Sequence, residues 1–186
     1  MHLSKKAILL IAIFLTTSIF VGSIVFAAAQ RVPTSDGSYQ DWTTSNGSGT
    51  HYTQVDETPC NGVSDYNFAT STGDRDSYGI SLNHVFGTAT ITSITIYPCA
   101  AKNIGNATTI PEMDVFYRFN GVDGPNAGNY IFTGTSTTPV DLATTTFSGL
   151  SLLQTSTSTL EVGVVLSDSA SSTGVRVSRI GVEVNY

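Results

Sequence analysis

The chain of 186 residues is 12% charged, against about 25% in an average soluble domain, and carries a formal charge of −6. Its cations are Lys5, Lys6, Lys102 and five scattered arginines, with no basic cluster past the N-terminus, which excludes docking on nucleic acid or on anionic lipid. The length suits one ordinary domain, and the abundant Ser and Thr that stand in for charges favour strands, because threonine fits a pleated, half-exposed surface.

Residues 1–29 read as an export signal. Lys5 and Lys6 precede an apolar run over 7–26, and Ala27, Ala28 and Ala29 meet the small-residue requirement of a signal peptidase, with cleavage before Gln30. There is no twin arginine, and no cysteine lies near the cleavage point. The same stretch also suits an uncleaved anchor, since roughly 20 apolar residues span a bilayer. On either reading, 30–186 is a single domain outside the cytoplasm, secreted or at the cell surface. It meets a membrane only through the N-terminal segment, if that is retained.

Cys60 and Cys99 are the only cysteines, and in an oxidising compartment they are expected to pair. Two distant thiols without a C-x-x-C are too few ligands for zinc.

Past Gln30 no helix is expected. A weak strand is expected over 51–57, then one over 77–83 with Tyr78, Ile80 and Leu82 on one face. In 88–97 the apolar set slips from Ala89 and Ile91 to Ile94 and Ile96. The clearest alternation is 112–120, with Met113, Val115, Tyr117 and Phe119 on one face and Glu112, Asp114, Phe116 and Arg118 on the other. Weaker strands are expected over 129–134 and 143–153. The stretch 159–167 puts Leu160, Val162, Val164 and Leu166 inward. In 174–186 the phase slips from Val175 and Val177 to Ile180, Val182, Val184 and Tyr186. An extra residue in a period-2 pattern is a β-bulge. The expected fold is all-β, an antiparallel two-sheet β-sandwich of about eight to ten strands. A jelly roll is expected rather than an immunoglobulin-like sandwich, because Trp42 precedes both cysteines.

Few constellations suggest chemistry. Glu112 and Asp114 share a strand face at a spacing that glycosidase carboxylates could use, and Asp56/Glu57 and Asp74/Asp76 are further pairs. Acidic residues also alternate on any solvated strand. His51 and His84 are the only histidines past the export segment, and no G-x-S-x-G is present, so no catalytic residue and no cofactor is expected. Structural calcium has candidates in Asp65, Asp74, Asp76 and Asp123, with Asn126, although the same residues are ordinary turn formers.

Aromatic residues offer a clearer lead. Tyr39, Trp42, Tyr52, Tyr66 and Phe68 crowd the first third of the domain, and Phe116 lies between Asp114 and Arg118 on the polar side of its strand. An exposed ring flanked by a carboxylate and a guanidinium suits stacking on a sugar, making Trp42, Tyr52, Phe116, Asp114 and Arg118 candidate ligand residues. The competing reading buries these rings, with Trp42 sealing the core edge.

The stretches Asp36-Gly37-Ser38-Tyr39-Gln40-Asp41-Trp42, His51-Tyr52-Thr53-Gln54-Val55-Asp56-Glu57 and Asp76-Ser77-Tyr78, with the final strand, resemble small exported bacterial jelly-roll domains similar to carbohydrate-binding modules. That resemblance implies fold and location and carries over no functional residue. The expected function is a non-catalytic module binding glycan or another surface. The alternatives are a self-associating envelope protein with no small ligand and a small glycoside hydrolase.

Overall fold

A computed structural model describes residues 29–47, 49–60, 62, 64–82, 88–105, 109–168 and 173–186. The segment before Ala29, expected as an export signal, and His84 lie outside the described residues. No helix among the described residues is long and apolar enough to cross a membrane.

One sheet holds β1 (Ser35–Gln40), β4 (Arg75–Ile80), β6 (Glu112–Phe119), β7 (Val122–Asp123), β8 (Ala127–Ile131) and β11 (Leu160–Asp168). The other holds β2 (Thr43–Thr44), β3 (Asn67–Ala69), β5 (Ala89–Lys102), β9 (Val140–Asp141), β10 (Thr145–Gln154) and β12 (Val175–Asn185). Their orders are β1-β4-β11-β6-β7, with β8 also on β6, and β10-β5-β12-β3-β2, with β9 also on β5. All of these pairs are antiparallel. The consecutive long strands β4, β5 and β6, and again β10, β11 and β12, fall in alternate sheets, as in a jelly roll.

Period-2 alternation builds the core. Val162 pairs with Tyr78 on one side and Tyr117 on the other, so one row of apolar side chains crosses three strands. It meets Ile91, Ile94, Ile96, Val175, Val177, Ile180, Val182 and Val184 of the opposite sheet, all buried. Each such side chain contributes about 1.5–3 kcal/mol of burial. Trp42 joins this core at its edge and donates Nε1–H to the Asp74 carbonyl at 3.0 Å.

Both phase slips in the sequence coincide with irregular pairing. The register of β12 against β5 shifts between Val177 and Arg179. That of β10 shifts between Ser148 and Leu152, opposite Ile91 and Ser93 of β5. On its other edge β12 is completed by three separate segments. β3 pairs with residues 175–177, Asp56 bridges Arg179, and Arg31 bridges Val182.

The strand expected over 51–57 is a correction. Tyr52–Gln54 forms a 3-10 turn, closed by Gln54 N–H to the His51 carbonyl and Val55 N–H to the Tyr52 carbonyl, both at 3.1 Å. The bulge in β12 leaves this segment only the Asp56 bridge, with the Ile180 N–H donating to the Val55 carbonyl at 3.0 Å. From there the chain crosses the outer side of β5 and β12. Cys60 bonds to buried Cys99, with the Cα atoms 5.8 Å apart. Gly62 lies so close over β12 that a Cβ there would come within 1.7 Å of Ser178 Cβ.

Candidate functional site

A cleft of about 660 Å³ opens at one end of the first sheet. Its walls are the start of β1, the end of β4 and the turn joining β10 to β11. Thr34 fixes the first wall, donating both its N–H (2.9 Å) and its hydroxyl (3.3 Å) to the Gly79 carbonyl. A Cβ at Gly79 would lie 2.2 Å from Ser35 Oγ, so a side chain there would turn that hydroxyl aside. The third wall is a hydroxyl-rich turn, closed by Ser158 N–H to the Thr155 carbonyl (3.2 Å) and Thr155 N–H to Ser158 Oγ (2.9 Å).

Two carboxylates belong to the lining. Asp36 Oδ1 accepts the Tyr52 N–H at 2.7 Å. Glu161 accepts at both oxygens, from Ser38 Oγ (2.7 Å) at one and from Ser38 N–H and Ser77 Oγ (each 2.8 Å) at the other. Gln154, 4% exposed, donates Nε2–H to the Leu82 carbonyl at 3.2 Å. Its Oε1 is enclosed and has no hydrogen-bond donor among the described residues. Among the described residues, the lining contains no His, Cys, Lys or Arg.

The aromatic candidates sit elsewhere. Phe116, readable from the sequence either as an exposed stacking ring or as a covered one, is fully buried. It does point to the outer side of the sheet, but the Arg75 guanidinium lies over it at 4.0 Å and Tyr39 meets it edge-on at 5.9 Å. Asp123 draws this cover together. It accepts from Arg75 Nη1 (2.7 Å), Arg118 Nη1 (2.5 Å) and the Tyr39 hydroxyl (2.8 Å). Although burial works to raise its pKa, these three donors hold the Asp123 carboxyl below its usual range. Arg118 is therefore engaged with Asp123 and with the Tyr39 hydroxyl at 3.1 Å. Asp114 Oδ1 accepts the Asn129 N–H at 2.8 Å. Trp42 is buried at the core edge, and Tyr52 packs half-buried against the core. Phe116, Arg118 and Asp123 thus converge, but in a packed patch and not an open platform.

Asp76 belongs to a buried polar quartet between the sheets. Its Oδ2 lies 2.9 Å from His51 Nδ1 and accepts from Tyr78 OH (2.9 Å) and Asn67 Nδ2 (3.0 Å). The hydrogen bond to Asp76 raises the pKa of His51, while burial raises that of Asp76 against the pull of His51 and Tyr78. Burial, followed by the neighbouring Asp65, raises Glu57. The calcium candidates Asp65, Asp74, Asp76 and Asp123 do not gather into one set. Among the described residues, the group of three metal-ligating types with donor atoms within 4.8 Å is Cys60, Cys99 and Asp141, whose two sulfurs are already bonded to each other.

No family model matches the chain, and no curated protein matches it. Among solved structures it is similar to the CBM36-1 domain of a multidomain xylanase from the hindgut metagenome of Trinervitermes trinervoides. The TM-score is 0.39 at 12% identity, covering 85% of this chain and 98% of that one. It is also similar to the carbohydrate-binding module CBM36 in complex with calcium and xylotriose, with a TM-score of 0.34 at 18% identity, covering 65% and 81%.

The cleft went unforeseen in the sequence. Its one trace is the run Thr155-Ser156-Thr157-Ser158-Thr159, which reads as any polar turn.

Proposed function

We propose that residues 30–186 form an exported, non-catalytic module that binds a glycan in the end cleft. The observation that carries this reading is the end cleft itself, walled by the hydroxyl side chains of Thr34, Ser35, Ser81, Thr155, Ser156 and Ser158. Such hydroxyls both give and accept hydrogen bonds, as a polyol requires. The charged ends of residues 1–6 with the apolar run, and the Cys60–Cys99 bond, support export. Among the described residues the lining has no histidine or cysteine, and the pair Glu112 and Asp114 is not part of it. The test is a glycan array followed by calorimetry on wild type and a Ser81→Ala, Ser156→Ala double variant. Wild-type binding that weakens about tenfold in the variant, with cooperative melting retained, supports the reading. No binding to any glycan overturns it.

The self-associating reading is favoured by a different feature. Residues 142–160, which include the outermost strand β10, contain no charged residue. Edge strands ordinarily carry charges that block pairing with another chain. Sedimentation velocity over a wide concentration range tests it, and a constant monomer mass removes it.

A further inference from the structure

We infer that β10 pairs antiparallel with β10 of a second copy of this chain, about a two-fold axis between Gly149 and Leu150, and so closes a dimer. This rests on the self-associating reading above and adds the contact and the stoichiometry. The faces of β10 form a palindrome. Against β5, Phe147 and Leu152 stand opposite the buried Ile94 and Ile91, while exposed Thr146 and Leu153 stand opposite Thr95 and Thr90. Phe147 and Leu152 are an odd number of positions apart and would point to opposite faces of a regular strand. The irregularity between Ser148 and Leu152 brings them to the same one. Directly opposed residues of an antiparallel pair share a face. Turned about this axis, Thr146 meets Leu153, Phe147 meets Leu152 and exposed Ser148 meets exposed Ser151 of the second copy, each a residue of its own face.

Charge points to a second copy as the partner. The chain carries −6, so two copies repel wherever their carboxylates face each other. At β10 they do not. Residues 142–160 are uncharged, and so are residues 88–101, which include the part of β5 that backs β10. Asp141 and Glu161 flank the uncharged run, Asp141 bound to Arg179 at 2.8 Å and Glu161 held by Ser38 and Ser77. Across the sheet, Glu183 stands opposite Thr95 on the far side of β5 and accepts from the Tyr97 hydroxyl at 2.8 Å. From the other sheet, Asp114 is bound to the Asn129 N–H, in the strand whose Tyr130 hydroxyl meets Thr145. A bulge on an edge ordinarily discourages pairing. Here it falls on the axis, where Gly149 has φ +68° and nothing lies within 4 Å of a Cβ, and the arms 145–148 and 152–154 keep regular register. The remaining edges differ: β1 contains Asp36, β2 and β7 span two residues each, and β8 has Gly128 and Asn129 at positive φ. Pairing through β10 therefore uses the one long uncharged edge among the described residues, and association stops at two.

Sedimentation velocity over a wide concentration range is expected to show monomer and dimer and nothing larger. A Thr146→Cys variant mixed with a Leu153→Cys variant should cross-link under oxidised glutathione, because opposed Cα atoms lie within disulfide reach, while neither variant alone should. A Thr146→Lys, Leu153→Lys double variant sets like charges opposite each other and should sediment as monomer. Its Thr146→Lys, Leu153→Glu counterpart sets unlike charges there and should still dimerise. Both positions are exposed, so each variant is expected to keep cooperative melting. A constant monomer mass removes the self-associating reading and this inference together. Dimers that do not cross-link at this pair, or that respond alike to the two charged variants, overturn the inference and leave self-association standing. So does growth beyond two copies.

Discussion

His51 Nδ1 lies 2.9 Å from Asp76 Oδ2 in the space between the two sheets, and Tyr78 and Asn67 donate to that same carboxylate oxygen. The hydrogen bond to Asp76 raises His51 above 6.5, and the charge of Asp36 pushes the same way. The folded state thus holds the histidine proton more tightly than the unfolded chain. Its contribution to stability is complete below 6.5 and is lost as the pH rises through the elevated pKa. Asp76, raised above 3.8 by burial, has the same sign in a lower window. Thermal midpoints recorded across pH are expected to fall above 6.5 in the wild type. His51→Gln is expected to flatten that step, and a midpoint that rises through the window contradicts the assignment.

The Cys60–Cys99 bond closes a separation of 39 residues. On the chain-entropy view it stabilises the domain by about 4 kcal/mol. A Cys60→Ser, Cys99→Ser double variant should lose that amount in denaturant unfolding, and the wild type under reductant should match it.

Phe116→Ala removes the ring beneath the Arg75 guanidinium and opens a void on the outer side of the sheet. A loss of about 3 kcal/mol is expected in urea unfolding. An unchanged midpoint would show that Arg75 and Tyr39 do not cover this ring in solution.

Gly73 and Gly174 both have positive φ, +95° and +56°, but differ in surroundings. Nothing lies within 4 Å of a Cβ at Gly73, so Gly73→Ala carries only the backbone cost, about 1–2 kcal/mol. A Cβ at Gly174 would stand 1.8 Å from the Ala69 carbonyl oxygen, where β3 meets β12. Gly174→Ala is expected to cost more than about 3 kcal/mol, and the difference between the two variants measures the clash.

The strands were readable because a buried face forces period-2 alternation. The slip at Val177/Ile180 marked irregular pairing because one extra residue inverts every later side chain, whereas the slip at Ile91/Ile94 lies opposite two extra residues on β10. The same reasoning gave Phe116 its outer face but not its cover. Alternation assigns a side chain to a face, but what lies over that face came from Tyr39 and Arg75 on other strands. The turn at Tyr52–Gln54 was hidden because its apolar residues dock singly at a bulge and do not alternate along a sheet. The cleft was hidden for a related reason. Asp36, Gly79, Gln154 and Glu161 come from distant parts of the chain, and the burial that leaves Gln154 Oε1 without a donor depends on the folded surroundings.

The three-part edge of β12 bears on when the domain can fold. β3, Asp56 and Arg31 all find their pairing partner in the last strand, and β5 shares it along most of its length. Until Val175–Asn185 has been synthesised, the early segments have no template, and the second sheet cannot close. Closing the core between the two sheets therefore waits for this one strand, while the first sheet can pair without it.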